Sequence, residues 1–207
     1  MTTGFSSPAS SRQTTYHQDL FEYELLADVA AEAYEKVMAE KKAFYGEYRY
    51  ERAIKVEPQI TIASFFAREV MENTIIRWME NILNNRQSFP VTLNNFSGFP
   101  PHTIYLRVQN PAPFQQLAKE LNVINTYVSS CSCPPIKVIS HPHINIAANL
   151  PEEIYSKALT HYSHRSFHES FMVNELRLVK RKHEYEPYKI INVFGLHSCD
   201  NELFGNS

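Results

Sequence analysis

Glycine is scarce. The 207 residues contain five, Gly4, Gly46, Gly98, Gly195 and Gly205, all far apart. No Gly-rich loop can be assembled from them to cradle a phosphate, which excludes Walker A and dinucleotide fingerprints. Cysteine is scarce too: Cys131, Cys133 and Cys199 are too few, and odd in number, for a disulfide scaffold. There is no excess of positive charge, with 20 Lys and Arg against 22 Asp and Glu. That excludes a broad basic field for gripping duplex nucleic acid, though not a local patch. No apolar run approaches the length of a membrane span, so no membrane partner is expected. The first residues are rich in Ser and Thr and lack the apolar core of a signal peptide. A reducing cytoplasm is the expected compartment.

What remains is an ordinary globular composition, 43% apolar and 13% aromatic. Residues 1–18 and 199–207 are expected to be tails around one domain over 19–198. Residues 20–26 alternate Phe21, Tyr23 and Leu25 with Glu22 and Glu24, the pattern of a half-buried strand. Residues 28–43 place Ala30, Ala33, Tyr34, Val37, Met38 and Lys41 at helical spacing. A strand is expected at 59–66, a helix at 69–84, strands near 89–96 and 102–108, and a third helix around Phe114 to Ile124 behind Pro111 and Pro113. Residues 129–135 read as loop. A strand at 143–148, a fourth helix beginning near Pro151, and two closing strands at 170–179 and 189–196 complete the chain. Strands adjoin each other after the second and fourth helices, so the expected class is α+β with antiparallel pairing and outer helices.

One segment echoes another. Val56-Glu-Pro-Gln-Ile-Thr-Ile-Ala63 aligns with Ser140-His-Pro-His-Ile-Asn-Ile-Ala147, sharing Pro, two Ile and Ala. Each copy precedes an amphipathic helix and then a pair of strands, which suggests two halves of related topology. In a strand Gln59 and Thr61 share one face, as do His143 and Asn145, while the isoleucines take the other. Each half then presents two hydrogen-bonding side chains about 7 Å apart. Packed about a pseudo-twofold axis, two such lobes would line one central cleft able to hold a phosphate diester.

In these motifs the chain resembles the two-histidine phosphoesterases, the group that includes 2′-5′ RNA ligase-like proteins and cyclic nucleotide phosphodiesterases. That family carries one His-x-Thr/Ser motif in each lobe. Here the second motif is PHINIA at 142–147, with Asn145 in the hydroxyl position. The first is PQITIA at 58–63, which keeps Thr61 but has Gln59 in place of histidine. The resemblance spans roughly residues 19–196.

It implies that His143 moves a proton, that Thr61 and Asn145 hold non-bridging phosphate oxygens, and that Gln59 can donate a hydrogen bond only. Histidine suits proton transfer because its ordinary pKa lies near 6.5. It also implies a 2′,3′-cyclic phosphate, a 2′-5′ linkage or a short RNA as ligand and no cofactor; the oligomeric state is left open, with a monomer as the default. With one proton carrier gone, activity is expected to be weak or lost. The alternative is a noncatalytic nucleotide- or RNA-binding module using the same cleft.

His102, at the start of the strand HTIYLRV, is a candidate substitute acid or base, or else an exposed strand-end residue. His141 reads as a loop or supporting residue. Tyr105 could stack on a base, and Arg107 shares its face. Arg165, within HYSHRSFH, could meet a phosphate or simply sit at a solvated helix end. Lys180-Arg-Lys-His183 reads as a basic hairpin turn. A zinc site from Cys131, Cys133, His141 and His143 is conceivable from proximity in sequence, but the cysteine spacing is tighter than structural zinc sites usually use.

Overall fold

A computed structural model describes residues 20–198. The expected tails, 1–18 and 199–207, lie outside the described residues. The class is α+β: two antiparallel sheets with flanking helices.

The first sheet has five strands in the order β5-β2-β1-β8-β9, and the second has four in the order β6-β4-β3-β7. β1 (Leu20–Asp28) leads into α1 (Ala31–Tyr48), a short α2 (Arg52–Lys55) and β2 (Gln59–Arg68). A 3₁₀ turn (Glu69–Met71) and α3 (Glu72–Leu83) follow, then β3 (Phe89–Phe99) and β4 (Thr103–Val108). The rest is α4 (Ala112–Glu120), α5 (Asn122–Ser130), β5 (Lys137–Val138), β6 (His143–Ala147), α6 (Glu152–Ser163), β7 (His168–Val173), β8 (Glu175–Arg181) and β9 (Lys189–Gly195).

Two helices cross over. α1 follows a strand of the five-stranded sheet yet packs on β6 and β7 of the other, where α6 covers β3 and β4. α4 follows a strand of the four-stranded sheet yet packs on β2, and α3 packs on β9 and α5. The chain thereby stitches the two sheets into one apolar core. Burial explains the helices: Ala33, Val37 and Phe44 in α1, and Ile75, Met79 and Leu83 in α3, recur at helical spacing and are buried. Lys41 lies in the same stripe of α1 and is 1% exposed.

Three expected elements differ. The closing strand at 170–179 is two strands in different sheets, β7 and β8, parted at Asn174. Phe171 and Val173 are buried before the break, Leu176 and Leu178 after it. The buried set therefore shifts from odd to even positions, which a regular strand without a bulge does not allow. The third helix is also two, α4 and α5, meeting at Leu121. The second of these runs to Ser130, into the segment expected to be loop.

Candidate functional site

β2 and β6 carry the two echoing segments, and the echo extends to burial. Over 56–63 and 140–147 the sequence of exposed, half-buried and buried positions is the same at all eight places. Each strand begins immediately after a buried proline, Pro58 or Pro142. The buried isoleucines Ile60, Ile62, Ile144 and Ile146 face the core, which turns Gln59 and Thr61, and His143 and Asn145, the other way.

These four side chains meet. Gln59, Thr61, His143 and Asn145 all line one cavity of about 270 Å³, although they belong to different sheets. Glu24, Glu57, Ser64, Val56 and Ile139 complete its wall. No Lys or Arg lines it. Its volume is just below the ~300–1,000 Å³ of typical small-molecule pockets, so it suits a phosphodiester better than a whole nucleotide.

His143 is held in a defined tautomer. Its Nδ1 lies 2.7 Å from the carbonyl oxygen of His141. A carbonyl only accepts, so Nδ1 carries the proton, and in the neutral ring Nε2 keeps a lone pair for proton transfer. The ring packs against Phe99 and Tyr105, each with its centroid 5.0 Å away, and those two aromatics stack on each other at 4.2 Å. Burial lowers the His143 pKa, while the bond to the His141 carbonyl works in the opposite direction. The imidazole is thus biased toward its neutral, proton-accepting form.

Asn145 sits beside Tyr105 in the β4–β6 ladder, and Arg107 sits opposite His143. The Asn145 side-chain Oδ1 is buried and makes no close hydrogen bond, though the side chain lies near enough to His143 to raise its pKa. Turning the amide over would aim its NH₂ donors into the same place, which is what an anion requires.

A second cavity, of about 330 Å³, shares Val56 and Asn145 with the first and is lined by the cations Lys41, Arg52 and Arg181. Lys41 Nζ donates to the carbonyl oxygens of Asn145 at 2.7 Å and Ile146 at 3.3 Å. Its desolvation lowers the ammonium pKa to about 8.

The remaining sequence candidates lie elsewhere. His102 is exposed in the turn between β3 and β4 and is not among the residues lining either cavity. Arg107 is exposed and its Nε donates to the Asn94 carbonyl at 3.2 Å. Arg165 is paired with Glu40 at 2.8 Å and lies 4.9 Å from the centroid of the Tyr162 ring. Lys180, in the expected basic turn, bridges Glu69 and Glu72 at 2.8 and 2.6 Å. Cys133 is buried against Met71, and among the described residues no three His, Cys, Asp or Glu side chains gather as a metal site.

Sequence reasoning passed over Glu24, Glu57, Ser64 and Lys41. Glu24 was legible as a polar position on a half-buried strand; its place beside β2 was not.

Two antiparallel sheets thus bring paired polar strand starts to one cavity. A family model described as the 2′-5′ RNA ligase superfamily matches residues 28–184, and the chain belongs to that superfamily. The fold is similar to that of E. coli LigT in its complex with 3′-AMP, at 16% identity and a TM-score of 0.63, covering 86% of this chain and 98% of that one. The NADP⁺ complex of E. coli LigT is similar at 18% identity and a TM-score of 0.60, with the same coverage. The Thermus thermophilus protein TT0787 is similar at 15% identity and a TM-score of 0.61, covering 86% of this chain and 98% of that one. No curated protein matches the chain in sequence.

Proposed function

We propose that the chain acts on a nucleotide phosphodiester, a 2′,3′-cyclic phosphate or a 2′-5′ linkage, by acid-base chemistry in the cavity shared by β2 and β6. The supporting observation is that Gln59, Thr61, His143 and Asn145 line that one cavity. The Thr61 hydroxyl and the Asn145 amide bind non-bridging oxygens, and His143 Nε2 takes the proton from the attacking water. Gln59 donates a hydrogen bond and carries no proton. Losing one acid or base in this way costs about 10²–10⁴ in rate where no other group takes over its proton.

The same eight-position burial pattern around Gln59 and His143 supports two pseudo-symmetric lobes with a central cleft between them. The two cavities share Val56 and Asn145 as lining residues, which supports a place for the nucleoside next to the phosphate. Gln59 also favours a second reading, a noncatalytic nucleotide- or RNA-binding module using the same cleft.

The test is calorimetric binding of 3′-AMP, a nucleotide that E. coli LigT holds, together with turnover of 2′,3′-cyclic nucleotides and 2′-5′ linked oligonucleotides. Binding with turnover that His143→Ala abolishes supports the enzyme. Binding without turnover in the parent, and turnover gained on Gln59→His, supports the binding module. Absence of binding to every nucleotide tested sinks both readings.

A further inference from the structure

The cavity that lacks a second histidine has two carboxyl groups in its wall, the exposed Glu57 and the half-buried Glu24. Glu24 reaches it from β1, where it stands opposite Ser64 of β2 in the antiparallel register, and Ser64 lines the same cavity. A bulge in the β1–β2 ladder between Leu25 and Leu26 lies just beyond that pair. It gives β2 one extra residue, so that Thr61 and Ser64, three apart, both turn toward the cavity.

Building on the phosphodiesterase reading above, we infer that Glu24 supplies the second proton-carrying group that Gln59 cannot. Its surroundings suit a general acid. Burial raises the carboxyl pKa and Glu22 adds to this; the Tyr188 hydroxyl and Arg181 pull the other way. Arg181 is itself committed to Glu22, 2.6 Å away. Among the described residues Glu24 has no ion pair. Glu57 and His143 line the same cavity, and Lys137 of β5 pairs with Ser64 on the far side of β2. A raised carboxyl pKa favours the protonated form that a general acid needs, and a lowered imidazole pKa favours the neutral form that a general base needs.

The step balances. His143 Nε2 takes a proton from water as the water oxygen bonds to phosphorus. The bond from phosphorus to one ribose oxygen of the cyclic diester breaks, and that oxygen takes the proton of the Glu24 carboxyl. The product is a phosphomonoester; the imidazolium proton returns to the Glu24 carboxylate through solvent. A neutral Glu24 also removes one negative charge from a cavity without cations that must admit an anion.

The experiment measures 2′,3′-cyclic AMP turnover against pH and 3′-AMP binding by calorimetry, on the full chain. The variants are Glu24→Gln, Glu24→Asp, and Glu24→Gln with Gln59→His. Glu24→Gln should lower kcat by about 10²–10⁴ and erase the decline of kcat/KM at high pH, with 3′-AMP binding retained. Glu24→Asp should keep that decline, and adding Gln59→His to Glu24→Gln should restore turnover. An unchanged kcat and pH profile in Glu24→Gln overturns the assignment while the parent's turnover upholds the phosphodiesterase. A parent that binds 3′-AMP without turnover also overturns it and leaves the binding module. Loss of binding in the parent removes the site altogether.

Discussion

Lys41 Nζ, from the buried face of α1, donates to the backbone carbonyl of Asn145 at 2.7 Å. A desolvated ammonium thus clamps the strand that carries His143 and Asn145, and among the described residues no ion pair offsets the loss of water. Burying an unpaired charge is costly, and here two carbonyls bear the whole compensation.

That clamp has a pH signature. The folded-state pKa of Lys41, about 8, lies below the roughly 10.4 of an unfolded lysine. Between those values the unfolded chain binds more protons, so folding stability gains as pH rises. The gain is on the order of 3 kcal/mol at most. Chemical denaturation of the parent and of Lys41→Met, from pH 7 to 10.5, should show the parent gaining on the variant above pH 8. Parallel curves would mean that the ammonium is not desolvated.

His143 behaves in the same sense at lower pH. Burial depresses its folded-state pKa, so its contribution is complete above the unfolded value near 6.5 and is lost as pH falls through the folded one. Proton NMR of the ring should give a midpoint below 6.5. Replacing His143 by Gln should flatten the stability loss between pH 7 and 5.

Gly98 in β3 is there for space. A Cβ at this position would lie 2.6 Å from Tyr155 Oη and 2.9 Å from Leu159 Cδ1 of α6. Gly98→Ala should cost about 1–3 kcal/mol by overpacking, read as a lower Tm. Adding Tyr155→Phe should recover only part, because the Leu159 contact remains.

Arg165 should prove structural. Its guanidinium pairs with Glu40, which is 18% exposed at the side chain, and lies against Tyr162. Arg165→Ala should cost about 1.5–3 kcal/mol, the range for hydrogen bonds to charged groups, and leave 3′-AMP affinity essentially unchanged. A large loss of affinity at unchanged stability would return Arg165 to the ligand.

The echo around Gln59 and His143 was readable because strand geometry ties face to sequence parity: alternate isoleucines had to be buried, so the residues between them could not be. The same parity marks the break at Asn174, where the buried set passes from Val173 to Leu176. It is visible in the sequence, but periodicity over so short a run does not separate a break from a bulge. The short β5, a two-residue strand paired with Ala63 and Ser64, left no sequence signal because its residues are exposed.

The sequence by itself determined the α+β class, the parity of β2 and β6, and the chemistry available in the first motif, since no fold can make Gln59 carry a proton at neutral pH. The tertiary structure decided which distant side chains share a cavity. It put β1 between β2 and β8, which carries Glu24 to the site, and packed α1 onto the opposite sheet, which buries Lys41 under β6. It also left His102 in an exposed turn. These depend on strand order and helix crossover, contacts between residues far apart in the chain, and local patterning carries no information about which strand becomes a neighbour.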